Sequence, residues 1–355
     1  MRIIDCDSHC IFPDIFDNVA PEVANRVPKL KFDIESRLVD VIYDKDPLVI
    51  PTPAPASAHN DLPGLCSPQD RIKNLNVMKV DLQLISPQER AMRFDYSVEK
   101  HLAASMTHSY NISLKKVIDQ YPDKFFGAPL VPLQDMDLAL AELDWIIANG
   151  FKLVYTDYLH WDTTINKGVA HSLNPRMDEF YKKCEDNNIV LYLHFFMNHN
   201  IKFESTEKIK QLVNDEEINM WEMAFFDLLS GDIFDKYPRL QVVVAEVIQR
   251  SMGKILRILN TAYKNNRELF EGTQHPIQYI KKHIFLTIDI EQKESFNILM
   301  QYIGSDRLLF STDYPHIDPS GMNKWKDTDD LLKSGLSQED LENIAYRNAE
   351  KLFRL

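Results

Sequence analysis

Short apolar runs that alternate with helical stretches constrain this chain more than anything else in it. The runs fall near 3–9, 80–87, 125–132, 151–156, 189–196, 240–246, 283–289 and 307–313. Each is too short to be a helix of ordinary length and is rich in Val, Ile, Leu and Phe, as buried strands are. Between them, helical patterning is predicted over about 69–78, 98–120, 137–149, 174–187, 216–229, a stretch ending near 265, 295–302 and 337–353. Local signals agree with these limits. Gly150 stands at the C′ position after 137–149, Pro175 suits a first helical position, and Ser337 and Asp340 are spaced as N-cap and N3. Eight strands separated by helices predict an α/β fold, a (β/α)8 TIM barrel. The alternative is a doubly wound open sheet, but no Gly-rich phosphate turn follows any strand.

The chain has 355 residues, which suits one barrel domain over 1–355 with an insertion. That insertion spans about 13–67, after the first strand, and contains Pro21, Pro28, Pro47, Pro51, Pro53, Pro55 and Pro63. Proline removes a backbone donor and fixes φ, so the expectation is a long loop with at most short helices. It has too few apolar residues to form its own core. A lid over the site or a dimer contact is the expected role.

Hydrophobic residues make up 45% of the chain and charged residues 26%, a globular balance. The formal net charge of -13 repels a nucleic-acid backbone, and the short cluster Lys281-Lys282-His283 reads as solvated surface. No apolar run is long enough to span a membrane, and the N-terminus lacks the pattern of a signal peptide. The expectation is a cytoplasmic protein with no membrane partner. The four cysteines, Cys6, Cys10, Cys66 and Cys184, have no CxxC pair and are expected as reduced, buried thiols.

Barrel enzymes carry their chemistry at the C-terminal ends of the strands. Here Asp7 and His9 end the first strand, His194 the fifth, Glu246 the sixth and Asp313 the eighth. Asp5, Asp7 and His9 share one strand face, since side chains two apart point the same way. A single His or Asp at a strand end is structural by default. Two imidazoles and three carboxylates on one rim form a donor set suited to Zn²⁺, Mn²⁺ or Fe²⁺, with no thiolate needed.

These residues resemble the amidohydrolase superfamily, specifically its amidohydrolase-2 branch of metal-dependent decarboxylases related to aminocarboxymuconate-semialdehyde and γ-resorcylate decarboxylases. The resemblance covers nearly the whole chain. It rests on Asp5-Cys-Asp7-Ser-His9 for the first-strand motif, His194, Asp313, the phrase Val131-Pro-Leu-Gln-Asp135 and the stretch from Phe234 through Val244. The resemblance implies metal ligation by Asp7, His9, His194 and Asp313, with Asp5 outside the metal shell. It also implies one divalent metal, two in a binuclear variant, and a homodimer as one assembly.

The chain departs from this pattern in two places. The sixth strand ends in Glu246 where the decarboxylases commonly carry a histidine, and Val247–Gly253 replaces the usual Gly-rich turn. Lys152 begins the fourth strand rather than ending it, which rejects it as a bridge between two metals. Asp313, Glu246 and His316 are the candidate catalytic groups; His316 either contacts substrate, ligates a second metal or shapes its loop. His199 reads as a structural or supporting residue. Arg90 and Arg93, just after strand two, could hold a substrate carboxylate, with solvated surface as their default.

Four readings follow. The leading one is a metal-dependent decarboxylase of a small carboxylated molecule, with the metal as Lewis acid. The second is hydrolysis of an amide, lactone or related bond by metal-bound hydroxide. The third is a binuclear enzyme in which Glu246 and His316 hold a second metal. The fourth is a non-catalytic barrel that binds a partner.

Overall fold

The computed structural model describes residues 1–32, 38–42, 63–88, 99–133, 135–157, 176–194, 207–213, 220–245, 248–288, 290, 292–315 and 326–355. Its barrel strands are β1 (Ile4–Asp5), continued by β2 (His9–Cys10), then β5 (Leu82–Pro87), β6 (Phe125–Gly127) and β7 (Leu153–Asp157). They are followed by β8 (Val190–His194), β9 (Val242–Val244), β10 (Ile284–Ile288) and β11 (Leu308–Phe310). β5 pairs in parallel with β1, β2 and β6, while β7 to β11 form a second parallel run in sequence order.

Two narrow seams join these runs into a ring. Leu130 bridges Tyr155 in parallel, with the Tyr155 amide donating to the Pro129 carbonyl at 2.7 Å. On the other side, the Cys6 amide donates to Phe310 at 2.9 Å and the His9 amide to Tyr314 at 2.6 Å. The result is the TIM barrel, with all eight strand positions parallel. β5, β8 and β10 are buried along their whole length, as expected of strands covered inside the barrel by side chains and outside by helices. Each Val, Leu or Ile so buried contributes about 1.5–3 kcal/mol.

Helix limits follow local chemistry. Pro68–Met78 begins with Ser67 accepting from the Asp70 amide and Pro68 in its first turn, and stops at Lys79 in the left-handed region. Asp135 caps Met136–Ala148 by accepting from the amides of Asp137 and Leu138. That helix ends at Asn149, and Gly150 follows with φ +80, where a side chain would be strained. Ser337 caps the last helical region as its spacing predicts, accepting from the Asp340 amide at 3.1 Å. The region is not one continuous α-helix, because Asn343–Arg347 is a π turn between Gln338–Glu342 and Asn348–Phe353. Helices Glu207–Val213, Pro276–His283 and Asp327–Leu332 went unread in the sequence, and His283 ends a helix instead of opening a strand. No helix among the described residues is long and apolar enough to cross a membrane.

The excursion after the first strand differs from expectation. Within it, β3 (Lys29–Phe32) and β4 (Leu38–Ile42) pair antiparallel, so it is not a loop with only short helices. Alternation of exposed and half-buried residues along Lys29–Phe32 supports a one-sided strand, and the nearby prolines hid that period. The excursion leaves and rejoins the barrel at one point, where the Ile11 amide donates to the Leu65 carbonyl at 3.0 Å. Its first part packs on helix Lys100–Gln120, with the amides of Asn18 and Ala20 donating to Ser109 and Ser105.

Candidate metal centre

Asp7 and His9 flank Ser8 where the first strand runs out, and His194 is the last residue of β8. Potential ligand atoms of Asp7, His9 and His194 all lie within 4.8 Å of one another, and all three residues are buried. Asp7 Oδ1 is 3.9 Å from His9 Nε2 and 3.7 Å from His194 Nε2. His9 Nε2 is also 3.1 Å from Asp313 Oδ1. The two imidazoles meet edge to face with centroids 4.7 Å apart, and Tyr155 stacks on His194 at 5.5 Å. Asp313 has φ +52, an unusual backbone state for a residue with a side chain, as found at functional sites.

The chemistry of this cluster fits a cation. Neither oxygen of Asp7 has a donor in close hydrogen-bond geometry among the described residues, although the side chain is only 1% exposed; the neighbouring Tyr192 hydroxyl donates to the Cys6 carbonyl at 2.7 Å and only partly favours the ionised carboxylate. An isolated buried carboxylate is costly. Burial therefore pushes the Asp7 carboxyl from an ordinary 3.8 up to about 7; His9 opposes the rise and the Asp313 carboxylate adds to it. His9 is oriented for ligation. Its Nδ1 lies 3.1 Å from the Pro87 carbonyl and 2.9 Å from Ser86 Oγ, whose own hydroxyl donates to the Ser8 carbonyl. The proton therefore belongs on Nδ1, which turns the Nε2 lone pair towards the two carboxylates. A lone pair facing two carboxylates is repelled unless a proton or a metal lies between them. The same logic excludes Asp5. Its oxygens accept from the amides of Asp7 and Thr312, from Gln83 Nε2 and from Thr312 Oγ1, which fills its four acceptor directions.

Beneath the cluster lies Arg71, fully buried and unforeseen as a site residue. Its Nε donates to Gly64 at 2.9 Å, and Nη1 to Ser8 Oγ at 2.9 Å and Gln83 Oε1 at 2.8 Å. Nη2 donates to the His9 carbonyl, and the guanidinium lies over the Tyr314 ring at 4.7 Å. One side chain thus ties together the first-strand motif, the second strand and the return of the excursion. Arg71, Leu75 and Met78 form the buried face of helix Pro68–Met78. A charged residue at an apolar position of a helical stripe was the available signal.

All four cysteines are buried, free thiols, and none joins the ligand cluster. Burial pushes the Cys10 thiol up to about 12, so it stays protonated. Of the remaining sequence-derived candidates, Glu246, His316, Arg90, Arg93 and His199 lie outside the described residues. Lys152 immediately precedes β7, at the opposite end from the cluster, consistent with its rejection as a bridge.

Comparison with known proteins places this arrangement in context. Residues 290–355 match the family model described as Amidohydrolase. A γ-resorcylate decarboxylase from Rhodococcus jostii (strain RHA1) is 24% identical over 289 residues, covering 79% of this chain and 84% of the relative. The crystal structure of a 2,6-dihydroxybenzoate decarboxylase from Rhizobium superposes with a TM-score of 0.71 at 17% identity, covering 100% of this chain and 99% of that one. A dihydroxybenzoic acid decarboxylase from Polaromonas sp. JS666, with bound manganese and the inhibitor 2-nitroresorcinol, gives 0.70 at 17% identity over 100% and 97%.

Proposed function

We propose that this chain belongs to the amidohydrolase superfamily and is a metal-dependent, non-oxidative decarboxylase of a small carboxylated molecule. The observation that carries the reading is the buried convergence of Asp7, His9 and His194 at strand ends, with Asp313 against His9. Those four residues are the proposed metal ligands, for one Mn²⁺, Zn²⁺ or Fe²⁺ ion. Bound there, the ion supplies Lewis acidity towards substrate oxygens.

The chain's own residues do the rest. Asp313 is the most accessible of the four, with its side chain 19% exposed while those of Asp7, His9 and His194 stay near 1%. It therefore faces the space a substrate enters. In the reaction, the bond to the carboxyl carbon breaks, CO₂ leaves with its two oxygens, and the electron pair stays on the substrate carbon. That carbon takes a proton from an acid on the rim, a role proposed for Asp313, Glu246 or His316. Arg90 and Arg93 are proposed to hold a substrate carboxylate.

The 1–355 chain works as one barrel unit in this reading, with 13–67 covering the mouth or a homodimer contact. The closure of that excursion at Ile11 and Leu65, just beyond His9 and Cys10, supports the rim position. Four buried thiols suit a reducing compartment such as the cytoplasm.

The test is metal analysis of protein purified without chelators, joined to CO₂ release from 2,6-dihydroxybenzoate and related carboxylated phenols. One metal equivalent and chelator-sensitive CO₂ release are expected. Cleavage of an ester or lactone without CO₂ release would replace the proposal with the hydrolase reading. Two equivalents would favour the binuclear one.

A further inference from the structure

The N-terminal ends of the strands enclose a second polar region, far from the metal centre. A cavity of about 630 Å³ opens there between Val190, Gln241, Phe285 and Arg307 and the C-terminal helical region. Val190 is the first residue of β8 and His194 the last, so the two regions stand about 13 Å apart along that strand. The volume lies within the usual range for small-molecule sites, about 300–1,000 Å³.

Its charge runs against that of the whole protein. Six cations line it: Arg239, Lys282, Arg307, Arg347, Lys351 and Arg354. Glu185 and Asp306 in the lining, with Asp186 and Glu342 just outside it, oppose them, so six cations face four acids in a chain of net charge -13. Some of the cations have partners. Arg239 approaches Glu185 at 3.4 Å, Arg347 pairs with Glu342, and Arg354 donates to the Asn188 carbonyl at 2.6 Å. The others are less well compensated. Among the described residues Lys282 and Lys351 form no salt bridge. Arg307 lies over the Phe285 ring at 4.7 Å, and its buried Nε reaches Asp306 only at 3.6 Å, beyond hydrogen-bond distance. Burial depresses the Arg307 pKa, and the Asp306 carboxylate beside it offsets that only in part.

We infer that the barrel floor is a binding site for a small multivalent oxyanion, a phosphorylated or polycarboxylic metabolite. Guanidinium groups present paired N–H donors that match carboxylate and phosphate oxygens, and the two lysines add mobile point charges at the rim of the cavity. An excess of like charge gathered on one cavity wall is relieved better by an anion of two or more charges than by one. The site stands independently of the decarboxylase reading, since it shares no residue with the metal centre.

Calorimetric titration of the whole chain with inorganic pyrophosphate and with citrate tests this and separates the two sources of oxyanion. His194→Ala serves as the background that removes chelation at the other end. At least one probe is expected to bind one-to-one, equally in wild type and His194→Ala, and more weakly as salt rises. The exposed pair Lys282→Gln/Lys351→Gln should weaken binding by about tenfold or more, the scale of about 1.4 kcal/mol. Arg307→Gln should do so too, and the lysine pair decides if that variant fails to fold. Absence of binding at millimolar concentrations of both probes overturns the inference. So does unchanged affinity in the lysine variant, or loss of binding in His194→Ala.

Discussion

Val190 and His194 begin and end the same strand, yet the polar chemistry at its two ends differs in kind. At the His194 end, a carboxylate and two imidazoles are withdrawn from water, and their braces come from fixed hydrogen bonds with Ser86, Pro87 and Arg71. At the Val190 end, flexible cations line an accessible cavity, several with only distant partners. A dry, braced cluster is positioned in advance and is costly without a cation. A wet ring of cations is inexpensive residue by residue and acts only as a field. Substitutions at the two ends should therefore fail in different ways.

The largest effect is expected from His194→Ala. Loss of a proposed ligand should remove metal retention and cut turnover by about 10³-fold or more, since metal catalysis supplies several kcal/mol and each 1.36 kcal/mol is tenfold. Far-ultraviolet circular dichroism should stay that of the intact barrel. Retention of a full metal equivalent would dissolve the contrast between the two ends.

Arg71→Met comes next. It strands the Gln83 and Ser8 oxygens and the Gly64 and His9 carbonyls in a buried place, and should destabilise the fold in denaturant unfolding by about 1–3 kcal/mol for each acceptor that finds no new donor. Metal affinity should fall by about 10–100-fold, as it does when supporting groups are removed. Arg71→Lys should recover little, because an ammonium cannot span the same four acceptors. A stable Arg71→Met variant with normal metal affinity would show that the cluster needs no brace.

The third effect is on pH. In metal-free protein the folded Asp7 carboxyl keeps its proton up to about 7, while an unfolded chain releases it near 3.8. Between those values the folded state binds more protons, so the Asp7 contribution to stability falls as pH rises and levels off above about 7. A metal must displace that proton, so affinity should rise with pH through the same window. Melting temperatures of chelator-treated protein and metal titrations from pH 5 to 8 would check both. A metal affinity that does not change with pH would contradict a proton-bearing Asp7.

The smallest effect is at the floor. Lys351→Gln should alter unfolding free energy by no more than about 0.5 kcal/mol and leave metal content unchanged. A large loss of metal in that variant would mean the two ends are coupled.

The barrel was legible from the sequence because its evidence is local and repeated. A run such as Val190–His194 is apolar wherever it sits, and helices between such runs carry local signals such as Gly150 after one helix and Ser337 before another, which act over three or four residues. Asp7, His9, His194 and Asp313 stood out because each follows a strand and the ends of parallel strands share a face of the barrel. The hairpin Lys29–Phe32/Leu38–Ile42 was not legible, since a proline-rich surround masks a half-exposed period. Nor was the role of Arg71. Its helix position could mark it as buried, but its acceptors are contributed by Ser8, His9, Gly64 and Gln83, distributed over three segments. The sequence by itself determined where the barrel strands fall and that Asp7, His9 and His194 lie at the ends of two of them, because periodicity is a property of neighbours in the chain. Only the tertiary structure decided that Asp5 is saturated, that His9 turns Nε2 towards two carboxylates, and that six cations meet at the floor. Those facts depend on distances between segments far apart in the chain, and closure of the barrel sets those distances.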